Sequence, residues 1–128
     1  MARLYAMIAA ASALLATILG AYGAHGLPGR VSASLLESFQ TAVQYQFFHA
    51  LALFGVALAL RGRGGERWLQ GAGACFIVGS LGFSGSIYAL VLVGNKFFGP
   101  ITPMGGMTLM IGWALLMVGA WRWESVNE

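Results

Sequence analysis

Leu4-Tyr-Ala-Met-Ile-Ala-Ala-Ala-Ser-Ala-Leu-Leu-Ala-Thr-Ile-Leu-Gly-Ala-Tyr22 contains no charged residue. A hydrocarbon core about 30 Å thick takes roughly 20 helical residues at 1.5 Å each, so a run of this length matches a bilayer. Three further stretches share its character, Thr41–Leu60, Trp68–Val93 and Met104–Trp121, and none of them carries a charge. Charged residues make up 9% of the chain and hydrophobic ones 59%, with a mean hydropathy of +0.77. A soluble fold would have to bury four helices that are apolar all round, with too few polar residues left to cover them. The expected architecture is an all-α integral membrane protein, a single membrane domain over residues 1–128 folded as a compact four-transmembrane-helix bundle.

Arg3 ahead of the first run, with small residues at Gly20–Ala24, imitates a secretory signal. The run is longer than the usual signal core and its small residues are spread along it, so a retained first span is expected. Four spans put Arg3, Arg61, Arg63, Arg67 and Arg122 on one side and Arg30 and Lys96 on the other. The positive-inside rule then predicts cytoplasmic N- and C-termini, and Trp68, Trp121 and Trp123 fall at span ends on that same side. The basic residues form no patch with interleaved aromatics, which argues against nucleic acid as a partner. Cys75 lacks a second cysteine and any Cys or His at ligand spacing, and reads as packing.

Small residues recur at helical spacing. Ala9, Ala13, Ala16, Gly20 and Gly23 hold one face of span 1; Gly79, Gly82 and Gly85 drift slowly around span 3; Gly105, Gly112 and Gly119 repeat every seven residues in span 4. Such seams let backbones approach closely, which drives helix association in lipid. Ala13, Gly20, Gly82, Gly85, Gly105, Gly112 and Gly119 are therefore expected packing positions. Between spans 1 and 2, residues 23–30 form a turn-rich break. Val31–Gln40 then predicts a short interfacial amphipathic helix before span 2, with Ser32 or Ser34 as caps and Leu35, Leu36 and Phe39 as its apolar face. Pro103 suits the first turn of span 4.

The start of span 2, Gln40-Thr-Ala-Val-Gln-Tyr-Gln-Phe-Phe-His49, is the most polar part of any span. Thr41, Tyr45 and His49 are four apart and share a face, with Gln46 beside it. Removing such groups from water without partners costs several kcal/mol each. Together with Ser84 and Tyr88 of span 3 they make a candidate polar pocket, either a proton-handling site or a set of interhelical hydrogen bonds. No carboxylate lies within a span, which favours the second reading. Ser84 does not sit in a nucleophile elbow and has only His49 as a conceivable base, so no catalytic residue is expected. His25, Glu37 and His49 form a weak three-ligand metal candidate, and no cofactor is expected.

Four stretches in order, Gly23-Ala-His-Gly-Leu27, Thr41-Ala-Val-Gln-Tyr-Gln-Phe-Phe-His-Ala-Leu51, Phe83-Ser-Gly-Ser-Ile-Tyr88 and Ile101-Thr-Pro-Met-Gly-Gly106 with Gly112-Trp113, resemble the YgdD/YwdK-like family of small bacterial inner-membrane proteins. The resemblance implies a four-span protein of the bacterial inner membrane. It supplies no reaction, cofactor or site residue. The expected function is a non-enzymatic membrane module, self-associating or accessory to a larger complex, with membrane lipid around it. The alternative is a small transporter, channel-like oligomer or lipid-binding protein using the polar face of span 2.

Overall fold

The computed structural model describes residues 1–124, so the expectation for the C-terminus at Glu128 lies outside the described residues. Four helices in it are long and apolar enough to cross a membrane: α1 (Ala2–His25), α2 (Ala33–Ala59), α3 (Glu66–Tyr88) and α4 (Ile101–Trp121). Each coincides with most of one of the four apolar stretches. Among the described residues the only β pairing is an isolated bridge between Pro28 and Val31.

One boundary differs from expectation. No separate interfacial helix precedes span 2, because α2 runs unbroken from Ala33. Ser32 caps it, its side chain accepting from the Leu35 N–H at 3.2 Å, and no glycine or proline interrupts the chain before Gly55. Once nucleated, a helix adds one hydrogen bond per residue fixed, so the amphipathic turns simply become the outer end of the span. Their apolar side faces protein, not the membrane surface: Phe39 is fully buried against Leu27, Ala42, Ile87 and Val91.

At the far end of α3 the helix widens into a single π turn, Ala89–Val93, and stops at Gly94, whose φ of +74° is left-handed. A short 3-10 turn (Lys96–Phe98) follows, capped by the Asn95 side chain, which accepts from the Phe97 N–H at 2.9 Å. The α2–α3 connection is pinned to the end of α4. Gly65 abuts the Gly119 backbone, the Glu124 N–H donates to the Arg63 carbonyl at 3.0 Å, and the Arg122 guanidinium lies 5.6 Å from the Trp68 ring centroid.

The helices pack in chain order, α1 on α2, α2 on α3, and α3 most extensively on α4. The glycines of span 4 form that last seam. A methyl on Gly112 would stand 2.8 Å from the Phe76 ring, one on Gly119 would stand 2.8 Å from Leu69 Cδ2, and one on Gly105 would strike the backbone of Gly82 and Phe83. Reciprocally, a methyl on Gly82 would stand 3.2 Å from the Gly105 Cα. Gly20 faces Val43 at ordinary contact distance, and half-buried Ala13 sits between buried Ala9 and Ala16. Gly85 does not join the seam: nothing lies within 4 Å of where its Cβ would be. Three-residue steps lose about 60° per turn of sequence relative to the helix, which carries Gly85 off the α4 side.

Candidate functional site

The polar residues of α2 are the hub of a network that joins all four helices. Gln46 is buried, and its amide spans two interfaces. Its Nε2 donates to the Ser12 carbonyl of α1 at 2.9 Å and to the Ser12 hydroxyl at 3.3 Å. Its Oε1 accepts from the Tyr88 hydroxyl of α3 at 2.6 Å. One turn further along α2, buried His49 Nδ1–H donates to the Tyr45 carbonyl at 2.7 Å, and Nε2 accepts from the Trp113 Nε1–H of α4 at 3.0 Å. A carbonyl can only accept and an indole N–H can only donate. These two partners therefore fix the tautomer, with the ring proton on Nδ1 and Nε2 unprotonated. The imidazole also packs among aromatic rings, 5.6 Å from Phe76 and 5.7 Å from Trp113.

The remaining buried hydroxyls are paired as well. Ser84 Oγ donates to the Ala42 carbonyl of α2 at 2.7 Å, and Tyr5 of α1 donates to the Gln70 carbonyl of α3 at 2.7 Å. Ser86 bonds to the Phe83 carbonyl and to the Thr102 hydroxyl at the start of α4. Among the described residues no buried side-chain nitrogen or oxygen lacks a partner. Buried polar groups in lipid must be matched in this way, since no water is at hand to satisfy them.

Beside this network lies a cleft of about 440 Å³. Its walls are α1 (Ile8, Ala11, Ser12, Leu15) and α3 (Phe76, Ile77, Ser80, Leu81, Ser84, Gly85, Tyr88), and α2 forms its floor with Gln46, His49 and Leu53. Outside the lining, α1 and α3 meet where the Tyr5 ring seats on Gly73. Leu15 of α1 and Leu81 of α3, both in the lining, are exposed at 49% and 71% and mark its open side. Gly85 faces this opening, which explains the empty space beside it.

Of the residues that sequence spacing grouped, Gln46, His49, Ser84 and Tyr88 come together around the network and the cleft. Thr41 and Tyr45 sit at its edge. The buried register of α2 runs through Phe39, Ala42, Gln46, His49 and Leu53, so a face drawn through Thr41 and Tyr45 is rotated toward lipid. Tyr45 is 41% exposed and stacks on Phe83, ring centroids 4.8 Å apart. Ser12 and Trp113 are network members that spacing on span 2 could not reveal. Their signals are a lone hydroxyl in an alanine run and an indole in mid-span, away from the interface where tryptophan usually sits.

The suggested metal set is not assembled. His25 and Glu37 are exposed, while His49 lies about 18 Å beyond Glu37 along α2 at 1.5 Å per residue. No group of three His, Cys, Asp or Glu side chains suited to a metal forms among the described residues. The glycine turn puts His25 at the exposed end of α1 and sends the neighbouring Leu27, not the imidazole, into the core.

Comparison with known proteins identifies the family. Residues 19–106 match the family described as protein of unknown function, DUF423. The chain is 39% identical over 118 residues to the UPF0382 membrane protein YwdK of Bacillus subtilis, covering 92% of this chain and 96% of that one. It is 38% identical over 120 residues to the UPF0382 inner membrane protein YgdD of Escherichia coli, covering 94% and 91%. A UPF0382 membrane protein of Schizosaccharomyces pombe is 43% identical over 118 residues, covering 87% and 96%. No solved structure matches. This chain belongs to the UPF0382 (DUF423) family of membrane proteins, and it is a multi-pass membrane protein.

Proposed function

We propose that this UPF0382 member is a non-enzymatic membrane module that holds a lipid-like ligand in the cleft between α1 and α3. The observation that carries the reading is the contrast between the two halves of the site. The side chains of Gln46 and His49 on α2 are spent on partners from the other three helices and on backbone, while the apolar cleft beside them is open toward the hydrocarbon. Its volume lies within the range of about 300–1,000 Å³ seen for small-ligand sites, which are mostly apolar with a few convergent polar groups. A ligand reaching it would arrive laterally from the bilayer, past Leu15 and Leu81.

The same features weigh against the other readings. A proton relay needs groups free to change partners, and His49 is held at both nitrogens. Nucleophilic catalysis by Ser84 needs a base, whereas its hydroxyl donates to the Ala42 carbonyl. Gly85 apart, the glycines of the small-residue seams meet neighbours within the chain and so lend no support to self-association. The orientation that goes with this reading places the arginine-bearing ends of the helices in the cytoplasm.

Native mass spectrometry of the protein released from nanodiscs tests the proposal. One retained hydrocarbon-chain ligand per protein is expected for the wild type. Gly85→Leu, which adds bulk to the lining at a position where a Cβ meets nothing within 4 Å, should remove it. Retention unaffected by Gly85→Leu would place the ligand elsewhere and overturn the reading.

A further inference from the structure

The cleft walls carry two hydroxyls that the network does not use as donors. Ser12 Oγ accepts from Gln46 Nε2, but its own O–H donates to nothing among the described residues, and the Ser80 hydroxyl has no partner there. Three other span hydroxyls turn back on their own helix, Thr17 to Ala13, Thr108 to Met104 and Ser86 to Phe83, each to a carbonyl at 2.9 Å, while Ser84 and Tyr88 donate across to α2. Ser12 and Ser80 are both half-buried and line the cleft from opposite walls, one on α1 and one on α3. In hydrocarbon an unspent hydroxyl is costly, so the ligand that suits this space brings acceptors for both.

From this geometry we propose that the ligand is a lipid-soluble quinone, its ring between α1 and α3 and its two ring carbonyls accepting from Ser12 and Ser80. The inference rests on the lipid-binding reading above and narrows it. A plain acyl chain offers no acceptor to either serine. An anionic headgroup finds no cation, because none of the lining residues is charged. A phospholipid's ester carbonyls stay near the interface, whereas Ser12 and Ser80 are about ten helical residues in from Ala2 and fourteen from Glu66. Of the aromatic residues in the lining, Phe76 is buried among His49 and Trp113, which leaves half-buried Tyr88 as the ring a planar ligand would meet, in an offset or edge-on contact. The isoprenoid tail leaves through the opening between Leu15 and Leu81 into the bilayer. The proposal is of binding alone and includes no electron transfer.

The test uses the full chain in nanodiscs with a photoactivatable azidoquinone and decylubiquinone as competitor. Labelling should map to α1 and α3 residues of the cleft and be displaced saturably by decylubiquinone. Ser12→Ala with Ser80→Ala should weaken that competition at least tenfold. Should the Ser12 change disturb the fold, Ser80→Ala alone should weaken it several-fold, since Ser80 holds nothing else in place. Saturable competition with the same affinity in the serine variants, or labelling that is not displaced, overturns the proposal. A hydrocarbon-chain ligand lost on Gly85→Leu but without displaceable quinone labelling leaves the cleft reading standing and removes the quinone. Loss of neither signal on Gly85→Leu removes both.

Discussion

Trp113 on α4 donates its indole N–H to His49 Nε2 on α2 at 3.0 Å, a bond that passes beside the Phe76 ring of α3, 4.9 Å from the indole. Helices that are not neighbours in the packing order are thereby tied at mid-membrane depth. The bond works only with an unprotonated Nε2, which the Tyr45 carbonyl enforces from the other side of the ring. His49→Leu should lower stability by about 1–3 kcal/mol, the cost of an orphaned polar partner, whereas His49→Gln keeps one acceptor and should lose less. Trp113→Phe combined with His49→Leu should cost less than the sum of the two changes, because both remove the same bond. Thermal unfolding in detergent measures all three. A His49→Leu protein as stable as wild type would refute the structural role.

The Tyr88–Gln46 bond makes a smaller claim. Tyr88→Phe removes one hydrogen bond and leaves the ring against Phe39, at a centroid distance of 5.3 Å. Interhelical hydrogen bonds in membranes average about 0.6 kcal/mol. The loss in steric-trapping or unfolding assays should be of that order. Gln46→Leu, which strands both Tyr88 and the Ser12 contacts, should cost clearly more. Equal losses from the two variants would mean that Gln46 holds only Tyr88.

Glycines at the α3–α4 seam should rank by what an added methyl meets. Gly105→Ala strikes backbone, which cannot swing aside, and should be the most damaging. Gly112→Ala presses on the Phe76 ring and should be intermediate, with Gly112→Leu worse and Leu115→Ile mild. Gly85→Ala meets nothing and should leave stability unchanged or slightly raised. A stability series with Gly85→Ala as harmful as Gly105→Ala would contradict the packing described.

Orientation is accessible to cysteine labelling. In a Cys75→Ala background, Gly62→Cys should react with a membrane-impermeant thiol reagent only after the inner face is opened. Gly29→Cys should react in intact cells. The expectation follows from five arginines on one side against Arg30 and Lys96 on the other. The reverse pattern would invert the topology.

The spans were legible because apolar length is a one-dimensional property, and the heptad of Gly105, Gly112 and Gly119 was legible because one helix repeats in register with its neighbour. The polar stretch of α2 was located, but its inward face was drawn one position off. A step of exactly four residues drifts from the helical period, so Thr41 and Tyr45 fell to the edge while Gln46 took the centre. The cleft had no sequence signature at all. Its lining comes from three helices, with residues as far apart in sequence as Ile8 and Tyr88, and no spacing along one helix can show where such residues meet.

Packing in chain order has a consequence for biogenesis. Each span of a nascent chain leaves the insertion machinery next to the span made just before it, which is the partner it will keep. Among the described residues two hydrogen bonds reach across the order, Tyr5 to the Gln70 carbonyl and Trp113 to His49, 65 and 64 residues apart. Synthesis therefore leaves the imidazole of His49 waiting for an indole that emerges last. A chain halted before Trp113 would hold His49 with one ring nitrogen lacking the donor that the finished fold supplies.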